Sequence, residues 1–111
     1  MSFKKIEHKE EFQSLLSTHE KLLLLKNSTT CPISHEAYRE TESFAEENND
    51  LPVYYLNVQE LRELSSEVAD KFKIKHESPQ ALLFSGGEVT WNASHWKITK
   101  KELNKAWEQK N

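Results

Sequence analysis

The sequence predicts an α/β fold, with a central mixed sheet, helices on both faces and the order β-α-β-α-β-α-β-β-α. Strand-like apolar runs alternate with segments in which apolar residues recur at helical spacing. The run Leu22–Leu25 is short and has polar flanks, which indicates a strand buried on both faces. Gly86-Gly87 separates two strand patterns and predicts a closing hairpin. We therefore expect a mostly parallel sheet with right-handed crossovers, to which the hairpin adds an antiparallel edge.

The composition suits one domain over residues 1–111, and Leu, Ile, Val and Phe are too frequent for a disordered chain. With a net charge of −3, the chain lacks the excess of basic residues that nucleic-acid-binding proteins use, so nucleic acid is not an expected partner. No apolar stretch approaches the ~18 residues of a membrane span, and the first residues lack the apolar core of a signal peptide. We therefore expect a cytoplasmic protein with no membrane partner.

The first half of the chain contains three strand patterns and two helix patterns. In the first helix, Phe12, Leu15 and Leu16 share one face, and in the second, Ile33, Ala37, Phe44 and Ala45 form an apolar stripe. A helix cannot continue through Pro52, and the aromatic and β-branched residues after it favour a strand. The predicted elements are strands Phe3–Ile6, Lys21–Lys26 and Val53–Val58, and helices Glu7–Thr18 and Pro32–Glu47.

The second half begins with a helix in which Leu61, Leu64, Val68 and Phe72 recur at helical spacing. A polar segment that ends in Ser78-Pro79 then predicts a loop, and the hairpin follows it. Thr99-Lys100-Lys101-Glu102 matches a capping box and predicts the start of the last helix. The predicted elements are helix Glu60–Phe72, strands Gln80–Phe84 and Glu88–Trp91, and a last helix with Leu103, Ala106 and Trp107 on its apolar face.

Cys31 is the only cysteine, so no intramolecular disulfide can form, and it lies between the leucine strand and the helix that follows. At a helix N-terminus, unpaired backbone N–H groups and the helix dipole favour the thiolate, which is the attacking form of cysteine. Pro32 suits the first helical position, because it lacks an N–H group and has a fixed φ. The sequence predicts a reactive thiol, with a buried structural cysteine as the alternative.

Two motifs in this order of elements resemble the thioredoxin fold, and the resemblance covers nearly the whole chain. Cys31-Pro32-Ile33-Ser34 stands in the place of the Cys-x-x-Cys redox motif of that fold. Ser78-Pro79 stands in the place of its cis-proline loop, which faces the active cysteine. The resemblance therefore implies a cis bond before Pro79. Because a serine hydroxyl cannot form a disulfide, a reaction through two internal cysteines is excluded.

More narrowly, Thr30-Cys31-Pro32-Ile33-Ser34 with a single cysteine resembles the bacillithiol-system YtxJ family, the monothiol bacilliredoxins. The resemblance implies a thiol–disulfide oxidoreductase that removes bacillithiol from S-bacillithiolated client proteins through a mixed disulfide on Cys31. It implies no cofactor or metal, bacillithiol as thiol co-substrate, and a second low-molecular-weight thiol or a partner reductase to release the adduct. The expected site comprises Cys31 as the catalytic nucleophile, with Thr30, Pro32, Ser34 (in the resolving-cysteine position), Ser78 and Pro79 as substrate-binding or supporting residues.

Two other functions remain open at this point. Gly86-Gly87 after a proline-led strand is faintly similar to monothiol glutaredoxins that carry an iron–sulfur cluster, and loss of the second cysteine is compatible with a non-catalytic binding module. The five histidines lack metal-ligand spacing, and His35, close to Cys31, is expected on a solvated helix face. The three tryptophans are expected in core and interface packing.

Overall fold

A computed structural model describes residues 3–109. The strands β1 to β5 are Phe3–Lys5, Lys21–Asn27, Val53–Asn57, Gln80–Ser85 and Glu88–Ser94. The helices α1 to α4 are Lys9–Thr18, Pro32–Glu47, Arg62–Phe72 and Lys100–Gln109, and a short 3-10 helix spans His95–Lys97. The predicted order of strands and helices is confirmed, and the 3-10 helix is an addition to it. Within residues 3–109, no helix is both long enough and apolar enough to cross a membrane.

The five strands form one mixed sheet in the order β1-β3-β2-β4-β5. β1, β3 and β2 run parallel, whereas β4 is antiparallel to β2 and β5 is antiparallel to β4. The expectation of a mostly parallel sheet is therefore wrong, because β4 does not follow a parallel crossover. The loop over residues 73–79 returns the chain to the carboxyl end of β2, where Gln80 pairs with Lys26, so β4 runs back along β2.

The leucine run lies in the centre of this sheet and is buried on both faces, as predicted. Leu23 and Leu25 pack on one side with Phe44 of α2 and Leu103 of α4. Leu22 and Leu24 pack on the other side with Phe12 of α1 and Leu64 of α3. β2 therefore joins the two helical layers through one strand. Burial of each of its leucine side chains contributes about 2 kcal/mol to stability.

Two helices begin later than the sequence predicted, because local hydrogen bonds fix the residues in front of them. The carboxylate of Glu11 accepts the backbone N–H groups of Glu7 and His8, so α1 begins at Lys9. The backbone N–H of Leu61 donates to the Asn57 carbonyl in a tight turn, so α3 begins at Arg62. The predicted start of the last helix is confirmed, because Thr99 Oγ1 accepts the Glu102 N–H at 3.1 Å.

Lys26 is an unexpected member of the core, since its side chain is fully buried near the end of β2. Its Nζ donates to the Ser65 carbonyl of α3 at 3.0 Å and lies 3.2 Å from His76 Nδ1. Within residues 3–109 it forms no ion pair with a carboxylate. Burial therefore lowers the pKa of this amine from 10.5 to about 8.

Lys26→Met should stabilise the protein at neutral pH. The amine has a pKa of about 8 when folded and 10.5 as a free group, so the unfolded chain binds more protons between these values. Wild-type stability should therefore rise across that window, and the advantage of methionine should shrink. At ~1.4 kcal/mol per pKa unit, the advantage at pH 7 is at most about 3.5 kcal/mol. Urea unfolding of both proteins from pH 6 to pH 10 measures the difference.

Lys105→Met provides the matched control, because Lys105 is exposed on α4. This substitution should change the free energy of unfolding by less than about 0.5 kcal/mol, with little dependence on pH. A wild-type-to-Lys26→Met difference that stays constant from pH 6 to pH 10 would contradict a buried amine that is charged at neutral pH.

Candidate active site

Cys31 is the N-cap residue of α2, and Pro32 occupies the first turn, as the sequence predicted. The Cys31 backbone is extended, with φ −107° and ψ 123°, and its carbonyl accepts the His35 N–H at 3.1 Å. Its side chain is partly exposed. The alternative of a buried structural cysteine is therefore wrong, and the thiol is accessible at the carboxyl edge of the sheet.

Hydrogen bonds at the start of α2 lower the pKa of the Cys31 thiol below that of a free cysteine. The backbone N–H of Ser34 makes the largest contribution, and the Ile33 N–H and the Ser34 hydroxyl add to it. Desolvation of the sulfur opposes these effects. The groups that favour the thiolate are thus neutral dipoles at a helix N-terminus.

Ser34 lies under the thiol, and its exposed fraction is 0%. Within residues 3–109 its hydroxyl oxygen has no hydrogen-bond partner, and among the groups that lower the pKa of Cys31 it contributes least. The side chain in the resolving position of the motif is therefore sealed from solvent, whereas the thiol is not.

The Ser78–Pro79 peptide bond is cis, as the resemblance implied. Pro79 is buried and directly precedes Gln80, which pairs with Lys26 at the carboxyl end of β2. Since Cys31 follows the same end of β2, the cis-proline turn and the thiol lie at one edge of the sheet.

The 3-10 helix is attached to this cis-proline turn. The backbone N–H of His95 donates to the Pro79 carbonyl at 3.0 Å, and His95 Nδ1 lies 3.9 Å from Glu77 Oε1. A hydrogen bond from Ser94 and then the charge of His95 lower the pKa of Glu77. His95 has φ +57°, which is uncommon for a residue with a side chain, and these contacts hold it there.

Trp96 was missed as a candidate site residue. It is 68% exposed and lines a groove of about 450 Å³ together with Pro32 and Ile33 at the start of α2. Core and interface packing was the expected role for the three tryptophans; Trp91 and Trp107 pack against the core, whereas Trp96 does not, and an interface role for Trp96 stays a prediction. The available signal was that Trp96 lies outside every apolar stripe, between two polar residues.

Thr30, the last residue before the thiol, is exposed and its hydroxyl accepts a hydrogen bond from Gln59 Nε2 at 3.4 Å. His35 is exposed, as expected, and does not contribute to the lowered pKa of Cys31. Within residues 3–109, no cluster of three or more His, Cys, Asp or Glu side chains is arranged to hold a metal ion.

The glycine pair that suggested an iron–sulfur carrier lies at the other end of the sheet. Gly86 donates its N–H to the Glu20 carbonyl, next to the start of β2. Six residues of β4 separate this turn from Pro79, which is about 20 Å of extended chain. Gly86-Gly87 therefore cannot contact a thiol that is bound at Cys31.

A family model described as monothiol bacilliredoxin BrxC matches residues 4–103 of the chain. Among solved structures, the chain is similar to a protein described as a candidate oxidoreductase with a thioredoxin fold. The two are 39% identical, with a TM-score of 0.89, over 96% of this chain and 94% of that one.

More distant similarity extends to thioredoxins. Mitochondrial thioredoxin 3 of Saccharomyces cerevisiae is 18% identical, with a TM-score of 0.75, over 97% of this chain and 95% of that one. Thioredoxin NaTrxh of Nicotiana alata is 17% identical, with a TM-score of 0.78, over 97% of this chain and 91% of that one. At such identities the likeness shows the fold alone, and that fold is the thioredoxin fold.

Ser34→Ala should raise the pKa of Cys31 by less than about one unit, because it removes the hydroxyl and keeps the backbone N–H. Titration of the thiolate absorbance measures the pKa, with Cys31→Ser as the baseline for the tyrosines. Ser43→Ala, farther along α2, is the matched control and should leave the midpoint unchanged. A wild-type midpoint at or above the free-cysteine value of ~8.5 would rule out an activated thiol.

Proposed function

The chain belongs to the monothiol bacilliredoxin family and is a thiol–disulfide oxidoreductase, and on this premise we propose that it removes bacillithiol from S-bacillithiolated proteins through a mixed disulfide on Cys31. One observation carries the proposal. A lone, partly exposed thiol with a lowered pKa lies at a helix N-terminus, above a buried serine. The proposed location is the cytoplasm, where thiols are kept reduced.

The first step is a thiol–disulfide exchange. The Cys31 thiolate attacks the bacillithiol sulfur of the client's mixed disulfide, a new S–S bond forms, and the client cysteine leaves as a thiolate that takes up a proton. No net oxidation occurs, because the disulfide is transferred from the client to Cys31. The lowered pKa supplies the attacking thiolate at neutral pH, and partial exposure of the thiol gives the client access.

The second step needs a thiol from outside the chain. Ser34 provides only a hydroxyl, and Cys31 is the only cysteine. A second low-molecular-weight thiol or a thiol of a partner reductase therefore attacks the bacillithiol sulfur and Cys31 leaves. In this proposal Thr30, Pro32, Ser78 and Pro79 support the reaction by shaping the edge at which the three sulfur atoms align, and bacillithiol is a co-substrate.

The two alternative functions have less support. The iron–sulfur carrier rested on Gly86-Gly87, which lies at the far end of the sheet. A non-catalytic binding module would not need a lowered thiol pKa at an exposed helix N-terminus, yet Cys31 has both. The family match favours thiol chemistry over either alternative.

Reduced protein should take up one bacillithiol per molecule from a bacillithiolated client and then stop until another thiol is added. Mass spectrometry of client and protein measures the transfer. Cys31→Ser should abolish it, because no other thiol is present. Spontaneous release of free bacillithiol from the wild-type adduct would contradict the monothiol mechanism.

Ser34→Cys should let the protein release bacillithiol without an added thiol. The new thiol lies one helical turn from Cys31, so it can form an internal disulfide with Cys31 and displace bacillithiol. Ser14→Cys provides a matched control, because it adds a thiol on the exposed face of α1. At low protein concentration, only Ser34→Cys should release bacillithiol. Equal release from both variants would show that the closeness of residue 34 to Cys31 has no role.

A further inference from the structure

The segment 28–30 connects the end of β2 to Cys31 and belongs to neither a strand nor a helix. The strand pairing of β2 with β3 ends at Asn27 and Asn57. Two further contacts hold these ends together, since the Val58 N–H donates to the Asn27 carbonyl at 2.8 Å and Asn27 Nδ2 donates to Asn57 Oδ1 at 2.9 Å. The turn over residues 28–30 therefore starts from a fixed position at Asn27, and other contacts must hold the rest of this turn in place.

Gln59 supplies contacts to all three residues of that turn. Its Oε1 accepts the backbone N–H of Thr29 at 3.2 Å. Its Nε2 donates to Ser28 Oγ at 2.9 Å and to Thr30 Oγ1 at 3.4 Å. One carboxamide thus uses both of its ends to join the turn before Cys31 to the turn between β3 and α3.

We propose that Gln59 is a positioning residue for the thiol chemistry, which keeps the Cys31 sulfur at the N-terminus of α2. The Ser34 and Ile33 N–H groups lower the pKa of the thiol only while the sulfur stays within their reach. The Cys31 backbone leads directly out of the 28–30 turn, so a turn that moves carries the sulfur with it. Gln59 acts through this turn and makes no contact with the sulfur.

The energies separate this role from a general role in stability. The hydrogen bonds of a partly exposed carboxamide contribute little to stability, because water replaces them on unfolding, so loss of Gln59 should leave the protein folded. The position of the sulfur, however, sets the fraction of thiolate. A rise of half a pKa unit lowers that fraction about threefold at a pH below the midpoint.

The test is the rate of Cys31 alkylation by iodoacetamide as a function of pH. Gln59→Ala should raise the midpoint by about half a unit and lower the rate below the midpoint about threefold. Gln59→Glu should raise it further, because the carboxylate loses both N–H donors and places a negative charge near the thiolate. Gln13→Ala, on the exposed face of α1, is the matched control and should leave the profile unchanged.

The combination with Ser28→Ala distinguishes positioning from a nonspecific effect. Ser28→Ala removes the 2.9 Å partner of Gln59 and should raise the midpoint by itself. The midpoint shift of the double variant should be smaller than the sum of the two single shifts, because both substitutions break the same connection. Unchanged midpoints in both Gln59 variants would overturn the proposal, as would full additivity with Ser28→Ala.

The inference rests on Cys31 as the nucleophile of the proposed function, but the alkylation assay uses no bacillithiolated client. Failure of bacillithiol transfer with an intact Gln59 effect would therefore overturn the proposed substrate alone. Normal transfer with no Gln59 effect would overturn only the positioning role.

Discussion

Burial of β2 between two helical layers is the constraint on which the candidate active site depends. Its leucines face both sides of the sheet alternately, so neither the strand nor its register can shift without exposing apolar surface. The carboxyl end of β2 therefore has a fixed position in the fold. From there a three-residue turn leads to Cys31, and the antiparallel β4 begins at the same edge with Pro79 directly before it.

Much of this arrangement could be predicted from local patterns. The leucine run, the helical stripes and the Thr99 N-cap each depend on residues close in sequence, and the structure confirms them, except that Ile33 of the α2 stripe lies outside the core. The cis bond at Pro79 was expected only from the resemblance to the thioredoxin fold, because no local pattern encodes it. The direction of β4 was missed, since apolar periodicity predicts that a strand exists and does not report which way it runs.

The unpredicted parts of the site depend on contacts between residues that are distant in sequence. Gln59 forms hydrogen bonds with a turn about thirty residues earlier, and a backbone hydrogen bond to Pro79 fixes His95. Lys26 looks like an ordinary polar residue at the end of a strand, but α3 and the loop before Pro79 cover it. Neither residue type nor spacing gives a signal for such contacts, because they arise only when the sheet brings the chain segments together.

The hydroxyl of Ser34 in the resolving position has a kinetic consequence for the proposed cycle. Because Cys31 is the only cysteine and a hydroxyl cannot resolve its disulfide, the lifetime of that disulfide depends on collisions with outside thiols. The lifetime would then be inversely proportional to the concentration of the incoming thiol. The fraction of molecules that carry the adduct would thus report the abundance of reduced thiol around the protein, in addition to the load of modified clients.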